Sequence, residues 1–465
     1  MDAVGVPLRT GVPLRTAARF WLTLGWVSFG GPAGQIALLH RELVGERRWL
    51  SERRFLHALN YCMLLPGPEA TQLATYLGWL MHGVRGGLVA GVLFLLPSVL
   101  VLLTLSSLYA LWGQQPLLSS VFWALKPAVL AIVLHASWRL GRRTLHHPLL
   151  ALIALAAFGA LVVLRLPYPW IVLAAALTGW IVGRLRPGWF VPPALRSPSL
   201  PAPGPAAGAA ANGAAASEAA SSLAPALHDD HTPTPAHARY RPRRLALILL
   251  VSGLALALPL AAVSLWGGWS GDLATMARFF TRVALVSFGG AYAVLPYVAQ
   301  GAVEQFGWLN AHQMADGLAL GETTPGPLIM VVAFVGFMGG WNGSGSLLTA
   351  VVAGLVTVWF TFLPSFVFIL AGAPLVEASR ADLRLGPPLT AITAAVVGVI
   401  ASLAVLLAAP ALAPQGAVDG GAVGVLAASL LLLFGRGWGV MPLIGAAALV
   451  GVARMALLPF LGGGA

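Results

Sequence analysis

Charge is what this chain has least of. Asp, Glu, Lys and Arg together make up 9% of its 465 residues while 58% are hydrophobic, whereas a soluble globular domain carries about 25% charged residues. A water-soluble globule is therefore excluded. Lysine is reduced to Lys126 and cysteine to Cys62. One cysteine cannot form an internal disulfide or assemble a metal site alone, and Cys62 reads as a small buried residue. His146, His147, His228, His231 and His237 fall in loops or a linker, with no ligand spacing on one helix face. Neither a metal nor any other cofactor is expected, and no catalytic residue is assigned. A glycine-rich phosphate loop ending in Gly-Lys-Ser/Thr is missing, which argues against a primary pump. Ten-residue alternating segments are missing too, so a β-barrel fails. The first eighteen residues repeat Val-Pro-Leu-Arg-Thr without an apolar stretch of their own, and no cleavable signal peptide is expected.

What the chain does have is a succession of apolar runs of about 20 residues, each long enough to cross roughly 30 Å of hydrocarbon as a helix. The fold class is an all-α polytopic membrane protein. The formal net charge of +12 comes from arginines in short loops beside those runs, which reports membrane topology and not a nucleic-acid partner.

One stretch is written twice. Ser28-Phe29-Gly30-Gly31 recurs as Ser287-Phe288-Gly289-Gly290, and Pro66-Gly67-Pro68 recurs as Pro325-Gly326-Pro327; the offset is 259 in both, 287 less 28 and 325 less 66. Trp49-Leu50 and Trp308-Leu309 keep it. Matches of this kind in one ungapped register argue for duplication.

The apolar stretches Phe20 to Leu39 and Phe55 to Met81 are broken by Gly30-Gly31-Pro32 and by Pro66-Gly67-Pro68 and are flanked by arginine. They read as re-entrant hairpins, tolerated where open backbone is buried in protein or lines a wet cavity. Crossings follow over 86–111, 117–138, 149–164 and 170–182. An unpaired crossing, Leu245 to Trp266, inverts what comes next. The loop from Gly301 to Gln313, which matches the arginine-rich loop of the first half, has no Arg or Lys and reads as external. Two more hairpins and crossings over 347–375, 389–409, 423–434 and 440–458 complete a count of nine crossings and four hairpins. The expected organisation is a cytoplasmic tail (1–18), a first repeat (19–185), a disordered cytoplasmic linker (186–244), the unpaired crossing (245–266) and a second, inverted repeat (267–465).

Inverted repeats with interrupted helices are the architecture of secondary transporters, whose substrate site lies near the membrane midplane where the repeats meet. Proline at the first helical position loses no needed N–H, and glycine lets a ligand approach the backbone. Exposed N–H groups at a helix start favour an anion. Candidate substrate-binding residues are Ser28, Gly30, Gly31, Pro66, Gly67, Pro68 and Gln72 in the first copy. In the second they are Ser287, Gly289, Gly290, Thr324, Pro325, Gly326 and Pro327. Glu69 and Glu322 put one carboxylate at each hairpin tip and are candidates for proton coupling, since intramembrane carboxylates are costly and usually functional. Blander roles compete: Glu69 stands where first-turn acids cap helices, and the paired glycines can serve close helix packing. Lys126 can attract an anion, but it lies near a span end and can equally snorkel to the interface.

These residues resemble the chromate transporter family in its long, two-domain form. The resemblance rests on Ser28-Phe29-Gly30-Gly31-Pro32, Arg48-Trp49-Leu50, Leu65-Pro66-Gly67-Pro68-Glu69, Gln72 to Gly78, Leu96-Pro97-Ser98 and Lys126-Pro127-Ala128-Val129. Phe288-Gly289-Gly290, Pro325-Gly326-Pro327 and Leu363-Pro364-Ser365 carry it in the second half. It implies a multi-pass protein of the bacterial inner membrane that exports chromate, driven by protons or the membrane potential, and so confers chromate resistance. The implied partners are chromate or a related tetrahedral oxyanion and the lipid bilayer, and a homo-oligomer is compatible with them. The second half departs from the first at Ala291 for Pro32 and Leu328 for Glu69, so equal roles for the halves do not follow. A permease for sulfate or another oxyanion is the rival within transport. A membrane-embedded enzyme on lipid-linked substrates is the rival outside it, and would need convergent catalytic groups that the scattered acids do not supply.

Overall fold

A computed structural model describes residues 12–190, 236–238, 240–288, 290–379 and 386–461, together with Leu227. Most of the expected linker, and Gly289, lie outside the described residues. The first half holds α1 (Leu14–Val27), α2 (Gly31–His40), a π-helical turn (Arg41–Glu46), α3 (Glu52–Leu64), α4 (Glu69–Trp112), α5 (Pro116–Thr144), α6 (Pro148–Val162) and α7 (Tyr168–Leu185). Then come α8 (Pro242–Gly267), α9 (Asp272–Val286), α10 (Ala291–Ala299), a second π-helical turn (Gln300–Gln305) and α11 (Ala311–Thr323). A 3₁₀ turn (Leu328–Met330) leads into α12 (Val331–Ser344), followed by α13 (Leu347–Ser379), α14 (Gly386–Leu412), α15 (Gly420–Leu430) and α16 (Val440–Leu461). The described residues form no β-sheet.

The duplication is visible element by element. Both π-helical turns sit 259 residues apart, 300 less 41, and α3 and α11 start and end at that same offset. Even the caps coincide: Ser51 accepts the Arg54 N–H at the start of α3, and Asn310 accepts the Gln313 N–H at the start of α11. Side-chain oxygens at this position satisfy amides that the first helical turn leaves unpaired. On α1 the buried residues Ala17, Phe20, Trp21 and Leu24 fall on one helical face, and on α9 Met276, Phe279, Phe280 and Val283 repeat them in register. That spacing is what makes each helix bury one stripe.

All four broken stretches are helix pairs. The breaks fall at Ser28–Gly30, Leu65–Pro68, Ser287–Gly290 and Thr324–Pro327. Gly30 and Gly290 have φ of 90° and 92°, a backbone region that glycine enters without steric cost. Each of the nine expected crossings falls on a helix. Among the described residues six helices are long and apolar enough to span a membrane, namely α4, α5, α7, α8, α13 and α14, while 148–162, 420–435 and 440–456 are shorter apolar helices.

The repeats join along a core in which α14 packs against α5, α6 and α7, and α13 against α4. The most apolar stretch of α14 is 72% buried, whereas that of the unpaired α8 is only 6% buried. The first is therefore an internal strut and the second a peripheral helix that faces lipid. The protein is a multi-pass α-helical membrane protein.

Candidate functional site

The hairpin tips of the two halves cross each other reciprocally. The Gly67 N–H donates to the Ser287 carbonyl at 2.7 Å, and the Gly326 N–H donates to the Ser28 carbonyl at 2.6 Å. The second hairpin of each repeat thus grips the break in the first hairpin of the other. Serines from the long helices complete the crossing: Ser98 of α4 donates to the Pro325 carbonyl, and Ser365 of α13 lies against Gly67. Around this knot the side-chain oxygens of Ser28, Gln35, Gln72, Ser287 and Ser365 are buried without a protein partner among the described residues. Leaving such a group unpaired costs about 1–3 kcal/mol.

Because the N–H groups of Gly67 and Gly326 are already spent on the opposite repeat, these tips do not present amides to a ligand in this conformation. Pro66, Pro68, Pro325 and Pro327 shape the knot, and Gln72 braces it by donating to the Pro66 carbonyl at 2.7 Å. Thr324 turns back on its own helix, donating to the Gly321 carbonyl at 3.0 Å.

The open space lies beside the knot. A cavity of about 420 Å³ is lined by Gly30, Gly31 and Pro32 of the first repeat, by Phe288, Gly290 and Tyr292 of the second, and by Glu69. Its opposite wall is one face of α5, where His135, Arg139 and Arg143 stand four residues apart. Residues four apart share a helix face, so one helix delivers two fixed positive charges and an imidazole to the same hollow. A Cβ on Gly31 or Gly290 would meet nothing within 4 Å, consistent with backbone that borders open space. Glu322 is not on the wall but one side chain behind it, accepting from the Tyr292 hydroxyl at 2.6 Å. A neighbouring cavity of about 600 Å³, lined by His57, Tyr61, Thr144, His146 and Val376, shares Met63, Arg143, Leu389 and Thr393 with the first.

The structure therefore brings Gly30, Gly31, Gly290 and Glu69 together around one space, holds Glu322 one residue away, and assigns Ser28, Ser287, Gly67 and Gly326 to the knot. Lys126 lies elsewhere. It is mostly buried and forms an ion pair with Asp316 at 3.1 Å, and Tyr109 donates to the same carboxylate at 2.8 Å. Sequence reasoning missed Arg139 and Arg143 because it read them only as loop charges. The spacing 135, 139, 143 was the signal that could have found them.

The sequence pattern that defines the chromate transporter family matches residues 15–180 and 274–452, one stretch in each half and with α8 in neither. The chain belongs to the chromate transporter family. A chromate transport protein of Pseudomonas aeruginosa is 32% identical over 403 residues, covering 84% of this chain and 80% of that protein. A chromate transport protein of Cupriavidus metallidurans is 27% identical over 401 residues, covering 85% and 82%. A probable chromate transport protein of Synechococcus elongatus is 27% identical over 396 residues, covering 85% and 84%. No solved structure matches the chain. The family is one of transporters.

Proposed function

We propose that this transporter exports chromate across the bacterial inner membrane by secondary active transport, and that the 420 Å³ cavity is where the oxyanion is held. The observation that carries this is the convergence of both glycine breaks with Arg139 and Arg143 on one hollow. Two guanidinium groups suit a dianion, because planar N–H forks match tetrahedral oxyanions geometrically and stay charged at every physiological pH. Glu69 brings a proton-exchangeable group to the same wall, and Glu322 is linked to it through Tyr292. Protonation of Glu69 would remove the only carboxylate among the lining residues and favour anion entry, which is a route to proton coupling. The family membership and the names of the relatives support chromate as the substrate.

Uptake of labelled chromate into everted membrane vesicles tests the reading, with sulfate as the competing oxyanion. Charge-assisted hydrogen bonds contribute about 1.5–3 kcal/mol each. Arg139→Gln and Arg143→Gln should therefore each raise the apparent KM for chromate at least tenfold at normal membrane levels. Glu69→Gln and Glu322→Gln should abolish pH-gradient-driven uptake while sparing exchange of bound anion. Equal kinetics of the arginine variants and the parent would refute the site, and preferential uptake of sulfate would refute the substrate.

A further inference from the structure

The ion pair remote from the cavity is placed where a transporter needs a barrier. Lys126 and Arg139 lie thirteen positions apart on α5, which at 1.5 Å per residue sets Lys126 about 20 Å along the helix from the cationic wall of the cavity. Lys126 also lines a separate cavity of about 400 Å³ with Ser119, Trp123, Gln415, Asp419 and Arg454. Behind it the ammonium meets Asp316 of α11, and Asp316 is further held by Tyr109 at the far end of α4. Tyr109 in turn packs edge-on against Phe122 of α5 and Phe334 of α12, with ring centroids 5.3 Å away in each case. Two helices of the first repeat and two of the second are thus closed on one another by one ion pair, one hydrogen bond and a small aromatic cluster.

The duplication shows what the same positions look like when they are not closed. Asp316 corresponds to His57 at the offset of 259, 316 less 57. Tyr109 corresponds to Val376 at the offset of 267 that relates Leu96-Pro97-Ser98 to Leu363-Pro364-Ser365. His57 and Val376 line the 600 Å³ cavity, together with Arg143, Thr144 and His146 at the opposite end of α5 from Lys126. One member of the pair of equivalent places is sealed and the other is open, at opposite ends of the same helix.

We propose that Lys126, Asp316 and Tyr109 are the gate of the transporter on the face opposite His57, closed in this conformation, and that it opens when the pair separates to let the anion out. This rests on the transport reading given above. Lys126, once parted from Asp316, would turn its ammonium into a cavity that already holds Arg454 beside Asp419, leaving that lining with one cation in excess for the departing anion.

The test uses the full chain in native membranes with Cys62→Ala and one reporter cysteine, labelled by a membrane-impermeant maleimide in right-side-out and in everted vesicles. In the parent, His57→Cys should label rapidly from one face. Phe122→Cys, buried behind the gate, should label slowly and only from the other. Adding Asp316→Asn should raise the Phe122→Cys rate at least tenfold and lower chromate transport. The exchanged pair Lys126→Asp with Asp316→Lys should return both toward parental values. Should Asp316→Asn fail to insert, the parent decides: chromate supplied on the His57 side should raise the Phe122→Cys rate severalfold as the gate cycles. A labelling rate that ignores both Asp316→Asn and chromate overturns the gate, as does labelling of both reporters from one face. Failure of the parent to transport chromate would instead overturn the substrate reading, while the response to Asp316→Asn would still read the gate.

Discussion

At residue 326 the backbone has φ of 101°, and a Cβ built there would fall 1.5 Å from the Ser98 hydroxyl oxygen; at 67, with φ of 127°, it would fall 2.3 Å from that of Ser365. Ser98 cannot simply rotate away from Gly326, because its Cβ is itself only 2.8 Å from the built atom. Both glycines are therefore required by packing across the repeat boundary. Left-handed backbone costs an L-residue about 1–2 kcal/mol, and overpacking a tight contact costs typically about 1–3 kcal/mol more. Gly326→Ala should consequently lower the thermal stability of the detergent-solubilised protein and its membrane level, with Gly67→Ala less severe because it meets the movable ends of Ser365 and Gln72. Monitoring aggregation temperature by size exclusion checks this; normal stability with lost chromate binding would instead point to the tips as ligand contacts. The duplicated glycines and prolines were legible as paired breaks in the chain because their offset repeats in sequence. Which of them face a ligand and which face each other was not, since a reciprocal grip between repeats has no local signature. Asp316 illustrates the same limit. It sits alone in an apolar segment, and only folding brings it to Lys126, 190 positions away.

At the scale of elements, the same duplicated unit is finished differently in the two halves. In the second repeat α12 ends at Ser344, capped by Gly345, and α13 begins at Leu347, two helices with a true break between them. In the first, the equivalent pair runs as the single 44-residue α4, interrupted only at His82 and Gly83, whose φ/ψ of 66°/−155° is open to glycine alone among common residues. This kink is clasped on both sides. The His82 ring donates to the Val12 carbonyl at 2.6 Å, and His237 packs against Trp79 while its ring donates to the Trp79 carbonyl at 2.9 Å. The break at Pro66-Gly67-Pro68 could be read from the sequence because proline and glycine announce it. The bend at Gly83 could not, since one glycine in an apolar run has many uses. Strain of this kind costs about 1–3 kcal/mol for a residue with a Cβ, so Gly83→Ala should destabilise the protein and misalign the two halves of α4, bringing down chromate transport with it. Thermal melts and vesicle uptake on one preparation check this. Unaltered melting would show that α4 tolerates a continuous helix there.

At the scale of the molecule, the question is which way each repeat faces, and the charges and contacts bear on it together. The arginine-rich loop after α2 holds Arg41, Arg47 and Arg48, while its counterpart after α10 has no Arg or Lys up to Gln313. Arginine-rich loops stay on the cytoplasmic side, so the opposite charge patterns of these equivalent loops predict opposite faces for the two. That arrangement leaves Arg278 and Arg282 outside; Arg278 stacks on Trp269 at 4.4 Å and donates to Thr275. An arginine lying on an aromatic ring beside a span end fits an interface on either side. Inversion requires one extra crossing, which the odd helix α8 would supply, and its exposed apolar surface suits that role because it packs mainly against α9 and α13. His57 and Asp316, equivalent by sequence, sit toward opposite ends of α5, as antiparallel copies demand. Glu46 and Gln305 end the two π-helical turns at the 259 offset, and both are exposed. In a Cys62→Ala background, Glu46→Cys should therefore react with an impermeant maleimide only in everted vesicles and Gln305→Cys only in intact cells. Reaction of both from one face would mean that the repeats are parallel. The reciprocal knot would then have to be explained by an axis along the membrane normal, and a gate opposite His57 would lose its reason to exist.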